Sequence, residues 1–347
     1  MAVAVRKGGY VSHDKTVHCP PLLTAVSMTS LHDATIPAER APVPSDQERL
    51  IEAMVRTVTY ANIFDYPLTV GEVHRYLEVP ATQAQIEALI RSGSWPRDRL
   101  SYRDGFFTLA GRESIIAVRR EREARARLLW PRALAYARLL ASMPFVRMVA
   151  LTGSLAVSNP DERSDFDYFI VTAGDRLWLC RAFIVALVRW IARRGDVICP
   201  NYLLSERTLA LEPRNLFVAR ELVQMVPLYG LDVYTRLRQV NAWSQAFLPN
   251  ADGPPTCPVC PHPAGIPAFS RFGRGMAELV LRLPPVGRLE RWEMRRKVRK
   301  LRRLYPDQSE AIFSANCCKG HFDGHARRII SLYDKELRFL DMNKNAK

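Results

Sequence analysis

Two aspartates separated by a single residue are the strongest chemical signal in this sequence. Asp165 and Asp167 open the run 165–171, whose other positions are apolar or aromatic, a composition typical of a β-strand. Since side chains of a strand alternate between its two faces, both carboxylates would project from the same face. Two such charges repel each other unless a cation lies between them, and hard cations such as Mg²⁺ or Mn²⁺ prefer carboxylate oxygens.

A glycine–serine pair stands upstream of these aspartates. Gly153 and Ser154 follow the short apolar run 146–152, which predicts a strand, a turn and the start of a helix. Gly153 has no side chain to keep a phosphate away from the backbone, and Ser154 offers a hydroxyl and an N–H at a helix start, where anions are favoured. The pair is therefore predicted to hold the β and γ phosphates of a nucleoside triphosphate.

The order of these residues resembles the signature of the DNA polymerase β-like nucleotidyltransferase superfamily, which has a Gly-Ser turn, about ten residues and Asp-x-Asp on a strand. Ala156 and Ser164 fit its minimal and antibiotic-type branch, whereas Val157-Ser158 replaces the Arg-Gly common there. The resemblance implies a small mixed sheet flanked by helices, two divalent metals, and transfer of a nucleoside monophosphate to a hydroxyl with release of pyrophosphate. Residues 145–250 are also similar to bacterial proteins that pair this domain with a winged-helix-like region.

The same resemblance implies a third carboxylate on a later strand, which binds one metal and helps to deprotonate the acceptor hydroxyl. Asp196 is the first candidate because it opens the predicted strand 195–204. Asn201 and Glu206 are the alternatives, and an asparagine could not act as a base. Pro200 inside this strand predicts an edge position or a bulge.

The region before the nucleotidyltransferase-like segment carries helix and hairpin signals. A β-hairpin is predicted around Gly105, between 100–102 and 106–109. Three capping boxes predict three helices, and their paired residues are Ser45 with Glu48, Thr69 with Glu72, and Thr82 with Gln85. Together these elements predict a winged helix-turn-helix at 45–112. Its recognition helix, 83–92, has only Arg91 as a cation, which favours a structural or protein-contacting role over DNA binding.

These signals divide the chain into four parts and predict an α/β (α+β) fold. Residues 1–44 lack periodicity and are expected to form a flexible leader, and 45–112 form the winged-helix-like domain. Residues 113–250 hold the nucleotidyltransferase core with its leading helices, in which Pro131 is expected to end or kink a helix. Residues 251–347 combine a Pro-rich insertion with a basic helical region.

Two features of that last part suggest further binding. Cys257, Cys260 and His262 look like half a zinc site, but the remaining ligands are distant, so unligated cysteines are favoured. The segment 291–303 holds eight Lys or Arg in thirteen residues. It is either a contact for nucleic acid or phosphates, or a solvated helix face packed through Val298 and Leu301.

Charge and composition set the limits on location and partners. Fifty Lys and Arg against 35 Asp and Glu give a net charge of +15, which favours polyanions such as nucleic acid, nucleotides or acidic membranes. The longest apolar stretch, 177–192, contains Arg181 and Arg189 and is too short to span a bilayer. Seven scattered cysteines and the lack of a signal sequence predict a cytoplasmic protein with reduced thiols.

The sequence thus predicts a metal-dependent nucleotidyltransferase. Asp165 and Asp167 would bind Mg²⁺ or Mn²⁺, and Gly153 and Ser154 would hold the triphosphate. Asp196 would supply the third carboxylate. The alternative is a non-catalytic regulator that senses nucleotides or binds nucleic acid through the winged-helix-like domain and the basic helix.

Overall fold

A computed structural model describes residues 45–162, 164–193, 195–255, 265, 267–304, 311–320 and 324–345. The chain divides into two units, Met1–Val43 and Pro44–Lys347, and the fold described here is that of the second. The predicted leader 1–44 lies outside the described residues, as do Cys257, Cys260 and His262. Among the described helices, none combines the length and apolar character needed to cross a membrane.

The first part of the unit is a set of three helices with a small antiparallel sheet. Its elements are α1 Asp46–Asn62, β1 Leu68–Thr69, α2 Val70–Tyr76, α3 Gln83–Ser92, β2 Leu100–Arg103 and β3 Phe106–Leu109. All three predicted capping boxes are present, with both reciprocal hydrogen bonds formed in each. The predicted hairpin is also confirmed, and β3 lies between β1 and β2.

A six-stranded sheet with helices on both faces forms the rest of the unit. Its elements are α4 Ile115–Ala141, β4 Val146–Leu151, α5 Gly153–Ala156, β5 Phe166–Thr172, α6 Leu177–Ala192, β6 Ile198–Ser205, α7 Leu216–Gln224, β7 Val226–Tyr229, α8 Leu231–Val240, the 3₁₀ helix Ala242–Ala246, α9 Ala268–Leu281, α10 Pro284–Leu304, β8 Ile312–Phe313, β9 Cys317–Lys319 and α11 His325–Asn345. The strand order is β7-β4-β5-β6-β9-β8. Among the described strand pairs, β5 with β6 is parallel and the others are antiparallel, so the sheet is mixed and the predicted α/β class is confirmed.

Alternation along the central strands separates two apolar cores. On one face, residues such as Tyr168 and Ile170 pack with α4, α6 and α10. On the other face, Phe169 and Val171 pack with α7, α8 and α11. Odd-numbered positions of β5 therefore face α7, which places the odd-numbered Asp165 and Asp167 on that side of the sheet.

Helix α4 does not end at Pro131, although the sequence predicted that the proline would either end or kink a helix there. The helix continues for ten residues beyond the proline, to Ala141. Buried side chains on both sides of Pro131, including Trp130, Leu134 and Ala137, pack against the sheet. This packing holds the helix together where proline removes one backbone donor.

The strand containing Pro200 is bulged. Asp167 pairs with Cys199 but Phe169 pairs with Tyr202, so three residues of β6 lie opposite two of β5. β9 pairs with β6 only from Tyr202 onward, which leaves Pro200 outside that ladder. The expected bulge is therefore present. β6 is an inner strand of the sheet, since its second half pairs with β5 on one side and β9 on the other.

The first part of the unit is packed directly against the sheet region. Its buried side chains share one apolar core with Ala219 and Val223 of α7. Arg75 donates to the carbonyls of Val223, Asp252 and Gly253 at 2.8–2.9 Å. These contacts make the three-helix part a fixed wall of the molecule.

Candidate functional site

The two predicted acids lie side by side at the start of β5. Ligand atoms of Asp165, Asp167 and Cys199 all fall within 4.8 Å of one another, and each residue is half-buried. Cys199 belongs to this group because it is the direct β6 partner of Asp167. The sequence did not single out Cys199, since it does not reveal which residues of two strands pair.

The predicted glycine turn packs against one of these acids. Gly153 has φ +69°, and a Cβ built at this position would collide with Asp167 Oδ2. The N–H of Thr152 also donates to the Asp167 carbonyl at 3.0 Å. Glycine is therefore required here twice, for the left-handed backbone and for the space that the carboxylate occupies.

Ser154 contacts the loop that leads to the acids. Its hydroxyl donates to Ser164 Oγ at 3.1 Å, and the Ser164 hydroxyl donates to Asp161 Oδ1 at 2.8 Å. The N–H of Asp161 donates back to Ser164 Oγ at 2.8 Å. These hydrogen bonds join the Gly-Ser turn to the residue immediately before Asp165.

The electrostatics of this group favour a cation. Burial, and then the charge of Asp165, raise the pKa of Asp167 to about 8, although a hydrogen bond donated by the Asn201 amide opposes the shift. Burial and the two neighbouring carboxylates raise the pKa of Cys199 to about 12. The thiol stays protonated at neutral pH and donates to Asn201 Oδ1 at 2.8 Å. A divalent cation would relieve the repulsion between the two aspartates.

Asp196 lies on the opposite side of the sheet from the acid pair. Its carboxylate forms an ion pair with Arg132 and accepts a hydrogen bond from Tyr136, and both of these partners belong to α4. The group of possible metal ligands does not include it. The candidacy of Asp196 depended on its place in the sequence. In the fold its side chain contacts α4, whereas Cys199 of β6 lies beside Asp167.

The two alternatives to Asp196 lie at different places along β6. Glu206 follows the far end of the strand, where it accepts from the N–H of Gly174 at 3.1 Å. Asn201 lies at the bulge, and its amide donates to Asp167 Oδ1. Of the three candidates for the third position, only Asn201 contacts the acid pair.

A cavity of about 160 Å³ opens beside Asp167 on the α7 side of the sheet. Its polar lining includes Glu221 from α7, Lys319 from β9 and His325 from α11. Its apolar lining consists of Phe169, Tyr202, Leu211, Phe217, Val218, Leu222 and Met225. This lining, mostly apolar with a few charged groups, is of the kind found in small-molecule sites.

Two charged residues of this cavity have unusual surroundings. Burial raises the pKa of Glu221 to about 7, partly offset by the charge of Lys319. Lys319 is itself only 8% exposed, with its ammonium 5.6 Å from the centre of the Tyr202 ring. The sequence did hold one signal for Glu221, because it interrupts an otherwise apolar helix face in α7.

Comparison with known proteins adds no assignment. No family model matches this chain, and neither a curated protein nor a solved structure gives a match. The functional argument therefore depends on the geometry of the site.

Proposed function

We propose that this protein is a metal-dependent nucleotidyltransferase that transfers a nucleoside monophosphate from a nucleoside triphosphate to the hydroxyl of an acceptor. The observation that carries the proposal is the contact of the Gly153 turn with Asp167 while Asp165 and Asp167 share one face of the sheet. A pair of carboxylates beside a glycine turn suits a phosphate substrate, because a cation can then bridge the protein carboxylates and the phosphate oxygens.

The donor set fits Mg²⁺ or Mn²⁺. Asp165 and Asp167 offer hard carboxylate oxygens within 4.8 Å of each other. The Cys199 thiol, with its pKa of about 12, stays neutral and is a poor ligand for such ions. When bound, the cation would neutralise charge on the triphosphate and orient its α-phosphate for in-line attack. The two aspartates would hold it, and Asn201 would fix the orientation of Asp167.

The cavity supplies the remaining groups that nucleotidyl transfer needs. Lys319 places a buried positive charge in the cavity that Asp167 also lines, where it can balance phosphate oxygens. Glu221, whose pKa of about 7 suits a group that takes up a proton at neutral pH, lines the same cavity. We propose Glu221 as the base that accepts the proton of the attacking hydroxyl, a role the sequence had led us to expect of Asp196.

The three-helix part fits the proposal as a winged-helix-like domain. Its three helices and its hairpin are the elements from which the sequence predicted such a domain, which supports this proposal. The shared core with α7 supports a structural role, in which the domain forms one wall beside the nucleotide site. This arrangement also leaves α3 largely exposed, so a contact with nucleic acid remains part of the proposal.

A non-catalytic nucleotide sensor is the second candidate, because a neutral side chain stands where a third carboxylate is expected. On β6, beside the acid pair, the side chains are the Cys199 thiol and the Asn201 amide. Such a site would bind a nucleotide with its metal and lack the third acid near the reacting centre.

One experiment tests binding and catalysis together. Purified protein is incubated with each α-phosphate-labelled nucleoside triphosphate, Mg²⁺ or Mn²⁺ and a cell extract, and transfer of label to any fraction is followed. Thermal stabilisation by Mg²⁺-ATP is measured in parallel. Asp165→Asn should abolish both signals, whereas the matched control Asp232→Asn, at an exposed aspartate on α8, should keep both.

The possible outcomes separate the candidates. Stabilisation by Mg²⁺-ATP without label transfer would support the sensor, and transfer that depends on Asp165 would support the enzyme. Equal stabilisation of Asp165→Asn and the control would exclude the proposed metal site and with it both candidates.

A further inference from the structure

Helix α9 carries an apolar stripe on its outer surface. The stripe consists of Phe269, Phe272, Met276, Leu279 and, directly after the helix, Leu283. These side chains are 87, 69, 48, 64 and 56% exposed in that order. Their spacing of three and four residues puts them on a single face of the helix. A row of five large apolar side chains with this exposure exceeds the scattered surface residues normal for a protein.

The opposite face of α9 is fixed to the sheet region. Glu278 is buried and accepts hydrogen bonds from the N–H of Phe145 and from both terminal nitrogens of Arg147, at 2.8–2.9 Å. Arg274 donates to the Ala141 carbonyl and to the Tyr229 hydroxyl at 3.0 and 2.8 Å. Because α9 is held by these polar contacts, its apolar stripe is presented outward.

Most of the net positive charge of the chain lies in the segment that forms α9 and α10. The segment 268–304 contains 12 Lys or Arg and three Glu, which gives +9 of the total of +15. All three glutamates, Glu278, Glu290 and Glu293, are no more than 8% exposed. Glu290 accepts from the N–H groups of Trp178 and Leu179 at the start of α6, at 2.8 and 2.7 Å. The acids therefore face inward, and the exposed charged groups of these two helices are cationic.

Helix α10 mixes this charge with further exposed apolar groups. Val298 and Leu301 pack inward against the core, as one of the two sequence interpretations expected. Its outer face carries Leu289 and Trp292, 44 and 56% exposed, among its arginines. A two-residue connection joins α9 to α10, so the apolar stripe leads directly to the cationic helix.

We propose that α9 and α10 form a docking surface for an anionic lipid bilayer, on which the apolar stripe enters the headgroup region while the arginines contact acidic headgroups. Amphipathic helices that lie in the membrane interface combine these two properties, an apolar face and a cationic polar face. Nucleic acid would satisfy the positive charge, but its phosphate backbone offers no apolar phase for the five stripe side chains. The bilayer satisfies both features.

Vesicle co-sedimentation tests this surface with the full chain. The vesicles contain phosphatidylcholine alone or mixed with phosphatidylglycerol. Wild-type protein should bind the mixed vesicles, and high salt should weaken that binding. The double variant Phe269→Ser with Phe272→Ser should bind these vesicles at least about tenfold more weakly than wild type, since it loses two side chains that would be buried in the bilayer. Leu128→Ser is the matched control, because Leu128 is 78% exposed on α4, outside the stripe.

Each other result overturns the proposal. If wild type does not bind mixed vesicles, the surface is not a membrane site. If the double variant binds as tightly as wild type, charge alone acts, and a duplex or single-stranded oligonucleotide then tests nucleic acid as the partner. If light scattering without lipid shows a dimer that the double variant abolishes, a second copy covers the stripe. Because both phenylalanines are exposed, wild type and variants should have equal melting temperatures. Equal melting temperatures exclude unfolding as the cause of weaker binding.

Discussion

Replacement of Asp167 by asparagine should stabilise the metal-free protein at slightly alkaline pH. The pKa of Asp167 is raised from 3.8 to about 8, first by burial and then by the charge of Asp165. A raised carboxyl pKa means that the folded protein binds a proton that the unfolded chain releases. The corresponding stability is complete below pH 3.8 and is lost as the pH rises through about 8. The substituted amide cannot ionise, and its oxygen can still accept from the Asn201 amide.

The size of this effect follows from the shift. Each pKa unit corresponds to about 1.4 kcal/mol, so full transmission of the shift would cost the ionised wild type at most ~6 kcal/mol. Water reaches the half-buried carboxylate and reduces this penalty, so we expect Asp167→Asn to be more stable by about 2–3 kcal/mol at pH 8. The difference should shrink steadily as the pH falls and should vanish below pH 3.8, where the wild-type carboxyl keeps its proton in both the folded and the unfolded state.

Urea unfolding at several pH values measures this difference, and Mg²⁺ should reverse it. A cation held by Asp165 and Asp167 competes with the proton, so Mg²⁺ should stabilise wild type increasingly as the pH rises and should leave Asp167→Asn unchanged. Asp232→Asn, at an exposed aspartate, serves as the control and should follow wild type throughout. An Asp167→Asn protein that is less stable than wild type at pH 8, or that Mg²⁺ stabilises as much as wild type, would refute two points. These are that ionised Asp167 costs stability and that the acid pair binds a cation.

Three further substitutions test neighbouring parts of the site. Gly153→Ala should destabilise the fold by about 1–3 kcal/mol and abolish thermal stabilisation by Mg²⁺-ATP, because its Cβ would collide with the Asp167 carboxylate. Asp196→Asn should cost about 1–2 kcal/mol through the loss of the Arg132 ion pair yet keep the full Mg²⁺-ATP shift, and loss of that shift would return Asp196 to the site. Glu221→Gln should lower label transfer by about a hundredfold without loss of nucleotide binding, and should remove the dependence of the rate on a group with a pKa of about 7; an unchanged pH–rate profile would rule out Glu221 as the base.

The elements that the sequence predicted correctly are those whose signals are local. A capping box contains both partners of its hydrogen bonds within four residues, so Ser45, Thr69 and Thr82 mark helix starts regardless of the rest of the fold. The hairpin around Gly105 and the shared face of Asp165 and Asp167 depend equally on neighbouring residues. The mixed α/β class followed from counting such elements.

The residues that the sequence missed, and the candidates among which it could not decide, are placed by contacts between distant segments. Asp196 and Cys199 lie three positions apart, and only the pairing of β6 with β5 decides that Cys199 is beside Asp167 while Asp196 faces α4. The bulge at Pro200 then shifts the register, and Asn201 contacts Asp167. Glu221 and Lys319 come from segments almost a hundred residues apart, so no local pattern could place them in one cavity.

The distribution of charge across the sheet explains why one face can hold a reactive site. On the α4 face, Arg132 and Tyr136 satisfy the Asp196 carboxylate, which makes that acid structural. On the α7 face, the acid pair has neutral neighbours in Cys199 and Asn201, and burial followed by the charge of Asp165 raises the pKa of Asp167 to about 8. A carboxylate that folding leaves without a counter-charge costs stability, and that cost is recovered when a cation binds. The acid pair, whose β6 neighbours are neutral, is therefore the part of the site prepared to accept a cation.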